Sequence, residues 1–236
     1  MPRYAPMLLA LALLAGACQR LPGAAPSPNA PVVVIDPGHP SEVAAGNVVL
    51  NGTTEAHVDW AVAERLAPLL RRMGYRVRMT KSREDELVTN VDRARFANAA
   101  GAALMVRLHC DASSDSGYAL YAPDRQGTAQ GVTGPSPEVI RRSTAAAEAL
   151  HAGMAPLLAG RLKDGGVRGD SRTLIGSRQG ALTGSIFSEV PTVTIEMATL
   201  TTPSDAAFMR SDAGVARMAR AIAAGVARAV PRVGKR

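Results

Sequence analysis

The chain has 236 residues, of which 47% are hydrophobic and only 3% aromatic, and it carries a formal net charge of +7. This suits one domain of ordinary size and excludes a core built on aromatic rings, leaving Ala, Val, Leu, Ile and Met to fill it. No basic run is interleaved with aromatic residues, so nucleic acid is a poor candidate partner despite the positive charge, which alone decides little.

The first residues read as an export signal. Met1, Pro2 and Arg3 supply a positive start, and "MLLALALLAGA" (7–17) supplies an apolar stretch too short to span a bilayer. Its end fits two patterns. "AGA" at 15–17 offers small residues for cleavage, while "LLAGAC" resembles a bacterial lipoprotein signal, in which Cys18 becomes the lipidated first residue of the mature chain and attaches it to a membrane. Ala15 stands where that pattern usually has Leu, with Leu14 one place further out. Both patterns send the chain out of the cytoplasm to the cell envelope or periplasm, where a basic surface suits anionic polymers or lipid headgroups. A disulfide between Cys18 and Cys110 would staple a tail to a buried strand and is not expected. "QRLPGAAPSPNAP" (19–31) is rich in Pro, Ala and Gly and has no apolar period. Residues 18–31 therefore read as a flexible linker and 32–236 as one folded domain.

The domain opens with "VVVID" (32–36), an aliphatic run with the character of a buried strand, followed by a polar loop to Thr53. From Thr54, a suitable cap, Val58, Ala61, Val62, Leu66, Leu69, Leu70 and Met73 form one apolar stripe of a helix that Gly74 closes. Pro68 should kink or break it. "YRVRMT" (75–80) alternates like a half-buried strand, and a helix follows over 90–100, stopped at Gly101. "AALMVRLH" (102–109) and the shorter "GYALYA" (117–122) are strands, and about Pro137 to Ala159 is a long helix. "GVRGDSRTLIG" gives a loop and a short strand, "PTVTIEMATL" (191–200) a last strand ending in a glutamate, and Ser211 caps an Ala-rich helix to 230. Strands alternating with helices of this length predict an α/β fold, a single layered domain with a mostly parallel central sheet flanked by helices.

Three of these strands are read as ending in a residue able to ligate a metal or move a proton: His39, His109 and Glu196. In open α/β sheets the strand ends along one edge gather around a crevice, so residues remote in sequence meet there. Glu55, in the first turn of the helix after the His39 loop, is a fourth candidate. Two imidazoles and one carboxylate make a catalytic zinc set with a position left for water, and zinc brings the pKa of that water to roughly 7. A further carboxylate, free of the metal, is then needed to pass the proton to a leaving amine, and Glu196 is placed for that role.

The same residues stand in four ordered blocks, "VVVIDPGHP", "GTTEAHVDWAVAERLAPLLRRMGYRVRMT", "RARFANAAGAALMVRLHCDAS" and "PTVTIEMATLTTPSDAAFM". From about Val32 to Val230 they resemble the zinc-dependent N-acetylmuramoyl-L-alanine amidases of bacterial cell-wall turnover. The resemblance implies one zinc ion per chain held by His39, Glu55 and His109, with Glu196 as catalytic acid and base. It implies peptidoglycan as substrate and hydrolysis of the amide joining the lactyl group of N-acetylmuramic acid to the L-alanine of the stem peptide. Some members carry an inserted helix that plugs the zinc site until an activator protein removes it. The only room for one here is around 123–160, which reads equally as a plug, a substrate loop or a packed helix with a long connection.

Three positions depart from the family pattern. Pro40 follows the first histidine where Gly is usual, Cys110 follows the second where Ala is usual, and Lys81 stands for an arginine after Thr80. The Cys110 side chain should face away from that of His109 and be buried. Asp36, Arg93 and Asn98 read as structural residues. His57 points away from the face of Glu55, Asp111 is placed to orient His109, and His151 is a surface or core residue. "RGD" at 168–170 reads as a chance tripeptide in a loop. Two rival functions fit the same blocks: a catalytically silent peptidoglycan-binding sensor or scaffold, and a zinc peptidase acting on stem peptides. Retention of all four polar positions speaks against the first, and a shortage of ligands for a second metal against the second.

Overall fold

The computed structural model describes residues 26–43 and 46–231, so the expected export signal and Cys18 lie outside the described residues. In chain order the elements are β1 (Val32–Pro37), α1 (Glu55–Arg72), β2 (Arg76–Met79), α2 (Asn90–Ala99), β3 (Leu104–Asp111), β4 (Tyr118–Ala122), β5 (Gly127–Ala129) and β6 (Val132–Gly134). There follow α3 (Pro137–Leu158), β7 (Asp164–Gly169), α4 (Leu174–Gln179), α5 (Thr183–Ile186), β8 (Thr192–Thr199), α6 (Pro203–Arg210) and α7 (Asp212–Ala229). The six-stranded sheet has the order β2-β1-β3-β8-β4-β7. Strands β2, β1, β3 and β8 are mutually parallel, while β4 runs antiparallel to β8 and β7 parallel to β4.

Connection length explains the reversal. Parallel neighbours need a crossover of about a dozen residues or more, and 112–117 between β3 and β4 is too short for one. The path from β4 to β7 has room for the β5–β6 hairpin and α3, and there the pairing is parallel. One face of the sheet carries the main core, where Val33, Ile35, Leu104, Val106, Leu108, Leu120, Val193 and Ile195 meet Val62 and Leu66 of α1, Leu150 and Met154 of α3 and Met218 and Ile222 of α7. On the other face Val32, Val34 and Met105 pack with Ala97, and Phe96 lies against them.

The sequence reading holds for every long element, with corrections in detail. α1 runs unbroken through Pro68; the carbonyl that Pro68 leaves without a donor belongs to exposed Glu64, where water reaches it. The strand in the "GVRGDSRTLIG" stretch comes first, and the residues after it form α4. β3 and β8 run on past His109 and Glu196 to Asp111 and Thr199, so neither residue ends its strand. The segment 123–160 is a hairpin followed by a packed helix: α3 lies against α7 and against β4, β7 and β8. The last part of the expected linker, 26–31, runs beside β2, with Arg76 Nη1 donating to Pro28 O at 3.1 Å.

Where β1 ends, a carboxylate enters the interior. Asp36 is fully buried, and its Oδ1 accepts from Arg93 Nη1 (2.6 Å) and Thr80 Oγ1 (2.5 Å) while Oδ2 accepts from Arg107 Nε (3.0 Å). Burial alone would raise its pKa, but the two guanidinium groups and the Thr80 hydroxyl outweigh that and bring it down to about 2. Arg93 also donates to the carbonyls of Pro37, Pro40 and Val88. Removing one partner of a buried ion pair leaves the other charge uncompensated, so Arg93→Ala is expected to lower the unfolding free energy by about 3–5 kcal/mol, measured by urea titration. Because the Asp36 pKa is depressed, its stabilisation is complete above about pH 4 and is lost as pH falls through about 2. Urea midpoints of the wild type should therefore drop over that window, by about 2 kcal/mol of stability from this group.

Candidate metal centre

The turn after β1 is fixed from several sides. Gly38 N donates to Leu108 O at 2.8 Å, continuing the β1–β3 ladder by one rung. Lys81, buried at the end of β2, donates to the carbonyls of Gly38, His39 and Glu84 and lies over the Trp60 ring. His39 takes a left-handed backbone (φ 29°) and its bond to Pro40 is cis. A side chain at Gly38 would meet Asp59 Oδ2 and His109 Cε1, each at 2.6 Å, and one at Gly46 would collide with the His39 ring. Both glycines are thus required by close approach.

Glu55 arrives from the other direction. Thr54 caps α1 by accepting from His57 N at 3.2 Å, which places Glu55 in the first turn. Its Oε1 is 2.9 Å from His109 Nδ1 and accepts from Cys110 N at 3.2 Å, and its Oε2 is 3.4 Å from His39 Nε2. The two imidazoles meet edge to face, with ring centroids 5.3 Å apart. One donor atom from each of His39, Glu55 and His109 lies within 4.8 Å of the others. Tetrahedral zinc bonds of about 2 Å set donors roughly 3.3 Å apart, so the three residues fit one such ion. The remaining ring nitrogens, His39 Nδ1 and His109 Nε2, are buried without a hydrogen-bond partner among the described residues.

Glu196 stands directly across from His109 on β8, with Ala119 of β4 on its other side. Its Oε2 is buried and unpartnered, and the residue lines a small cavity with Asp111, Asp115, Tyr121 and Arg168. Burial, then the charges of Glu55 and Asp111, push its pKa well above the usual carboxylate range against the pull of Arg107. Glu55 goes the other way. Burial would raise it, but hydrogen bonds from His109 and His39 hold it below that range. Burial lowers the pKa of His109 despite Glu55, which favours the neutral imidazole that a metal takes.

One carboxylate here escaped the sequence reading. Asp59, one helical turn beyond Glu55 on α1, is fully buried, and neither of its oxygens has a partner among the described residues. Burial and the charges of Glu55 and Glu196 raise its pKa well above the ordinary value, against Lys81 and Arg93. Its signal in the sequence was a charge set within the apolar stripe of a helix. Arg107 was missed as well, although a charge inside an aliphatic strand marks it.

The other residues singled out fall outside the centre. His57 is exposed and pairs with Glu84 at 3.2 Å. Asp111 accepts from Ala112 N and Ser113 Oγ, each at 2.7 Å, and so does not orient His109. Asn98 joins α2 to the loop before β8 through Phe187 O and Glu189 N, each at 2.9 Å. His151 pairs with Asp164 at 2.8 Å. Cys110 is a buried free thiol whose pKa burial pushes up, and Asp170 is fully buried, so the tripeptide at 168–170 is not presented as a loop.

Fold and site together define a one-domain α/β protein with a His–Glu–His group able to hold a metal ion and a buried glutamate beside it. The N-acetylmuramoyl-L-alanine amidase family model matches residues 33–228, and the chain belongs to that family. It is 33% identical over 99 residues to the N-acetylmuramoyl-L-alanine amidase AmiA of Escherichia coli K12, a match covering 41% of this chain and 34% of AmiA. The chain thus aligns with about a third of the length of that relative. Among solved structures, Ami1 of Mycobacterium smegmatis shares the fold with a TM-score of 0.68 at 21% identity, over 85% of this chain and 96% of Ami1. CwlD of Clostridioides difficile, solved in complex with the GerS lipoprotein, gives 0.64 at 15% identity over 84% and 98%.

Asp59 yields a test of these electrostatics. A raised acid pKa means that the folded state holds the proton longer than the unfolded state, so stability falls as pH rises past the ordinary Asp value near 3.8. In metal-free protein, Asp59→Asn should therefore gain in melting temperature over wild type progressively from pH 4 to pH 7. A constant difference across that range would show that Asp59 is not held protonated.

Proposed function

We propose that this chain is a zinc-dependent peptidoglycan amidase that hydrolyses the bond between the lactyl carbonyl of N-acetylmuramic acid and the amino group of L-alanine. The observation that carries this reading is the convergence of His39, Glu55 and His109 within 4.8 Å, with Glu196 directly opposite His109. Family membership supplies the substrate class. Zinc, when bound, supplies Lewis acidity that polarises the amide carbonyl and makes a water nucleophilic at neutral pH.

The chain's own groups do the rest. His39, Glu55 and His109 would hold the metal, and the buried Asp36 cluster fixes the turn that presents His39. Glu196 takes a proton from the attacking water and delivers it to the alanine nitrogen as the carbon–nitrogen bond breaks, and the water's second proton passes to the released amine, leaving a lactyl carboxylate and an alanine ammonium group. A carboxyl with a raised pKa suits both halves of that transfer. Export to the cell envelope follows from the reading of residues 1–17, and lipid on Cys18 would tether the enzyme to a membrane. No helix among the described residues is long and apolar enough to cross one. An activator protein is compatible with the solved complex of CwlD with a lipoprotein, although here the 123–160 segment packs as α3 rather than as a plug.

Glu196→Ala is expected to keep one zinc per chain and to lose about a hundred-fold or more in kcat, read by metal analysis alongside digestion of purified peptidoglycan. His109→Ala and Glu55→Ala should lose the metal. The products should be free stem peptides and intact glycan strands by mass. Zinc loss in Glu196→Ala would make Glu196 a ligand, and trimmed peptides in place of whole stems would overturn the amidase reading.

A further inference from the structure

The face of the sheet that carries His109 and Glu196 continues over two more strands. Glu196 registers with Ala119 and Thr194 with Tyr121 on β4, and Tyr121 registers with Arg168 on the edge strand β7. The intervening Tyr118 and Leu120 turn into the main core on the opposite face. A strip of side chains therefore runs from His109 through Glu196, Ala119 and Tyr121 to Arg168. The small Ala119 in its middle lies beside a small cavity lined also by Glu196 and Arg168.

Arg168 is held but not neutralised within the fold. Its Nε donates to Gly165 O at 3.2 Å, Nη1 donates to Tyr121 Oη at 3.2 Å, and the guanidinium carbon lies 5.9 Å from the centre of the Tyr121 ring. Among the described residues the one carboxylate that meets its charge is Asp115, at 3.5 Å, and the Asp115 side chain is 58% exposed. Such a pair contributes little and exchanges readily with another anion. Among the described residues Nη2 has no acceptor, and together with the Nη1 hydrogen released when Asp115 gives way it offers a planar fork to an incoming carboxylate.

Resting on the amidase reading above, we propose that Arg168 binds the α-carboxylate of the second residue of the stem peptide and selects stems in which that group is free. The second residue is joined to the rest of the stem through its side-chain carboxyl, so its α-carboxyl stands alone, either as the acid or as an amide. The distances agree. Neighbouring strands lie about 4.8 Å apart, which sets β7 about 10 Å from β8. An extended dipeptide leading away from the scissile bond spans about 7 Å, and the arginine side chain reaches back over the remainder. An amide in place of the carboxylate loses both the charge and one of two acceptors, so the fork discriminates against it.

The test uses zinc-loaded full-length enzyme and two defined muropeptides that differ only in whether the second residue carries the free α-carboxyl or its amide. Wild type should show a kcat/KM about ten-fold or more higher for the free acid, carried by KM. Arg168→Gln should level the two substrates to within about two-fold by raising KM for the acid alone, with kcat kept. Arg168→Lys, which retains the charge without the fork, should fall between them and guards against a misfolded variant. Equal cleavage of both by wild type would overturn this inference while leaving the amidase reading intact, and so would an equal loss on both in Arg168→Gln. Cleavage of neither by wild type would overturn the amidase reading itself.

Discussion

Asp36, held between Arg93 and Arg107 in the interior, is the interaction on which the site depends. It lies opposite Arg107 in the β1–β3 register, so the two strands that bear the histidines are locked together at the level where the ladder gives way to the turn. Arg93 reaches the same carboxylate from α2 and binds the carbonyls of Pro37 and Pro40 on either side of Gly38 and His39. Lys81 binds the two carbonyls in between. The turn thus has its acceptors committed before any metal arrives, and His39 has little freedom to leave. Pro40 belongs to this arrangement through its carbonyl, which also accepts from Val88 N at 3.3 Å.

The charges around the centre form a second layer of organisation. Glu55, Asp59 and Glu196 sit close enough to perturb one another, and the buried cations nearby are already engaged, Arg93 and Arg107 with Asp36 and Lys81 with backbone carbonyls. In the metal-free protein only Glu55 is stabilised as an anion, because both imidazoles donate to it; Asp59 and Glu196 are driven toward the neutral acid. A bound dication would supply the missing positive charge, and Glu55 already stands in the ionised state that ligation would require.

Long aliphatic and periodic segments made most of the fold legible from sequence. The β1, β3 and β8 strands, the long helices and the candidates His39, Glu55, His109 and Glu196 all followed from patterning and from the order of the four blocks. The β5–β6 hairpin, α4 and α5 were not legible, because they are too short to show a period and take their conformation from tertiary contacts. Strand limits erred where β3 and β8 continue past their polar residues, since a His or Glu reads as an end when only hydrophobicity is followed. Asp59 and Arg107 were hidden for the converse reason. Each is a charge at a position whose spacing announces burial, and only the convergence of other charges in space gives it meaning.

Two carboxylates with raised pKa stand near the metal ligands, and position decides which one can act on a substrate. Asp59 is enclosed by α1 and the β1 turn, with no solvent exposure, so a peptide cannot reach it without displacing Gly38. Glu196 lines a small cavity together with Tyr121 and Arg168. A proton delivered to a leaving nitrogen has to come from a group within hydrogen-bond reach of that nitrogen, and this requirement favours the proposed role of Glu196 over one for Asp59. Asp59 can influence the reaction only through the groups beside it. The alternation of the strands produces this division: successive residues of β4 and β8 serve opposite faces, so the same short segments that complete the hydrophobic core also line the strip along which a stem peptide would lie.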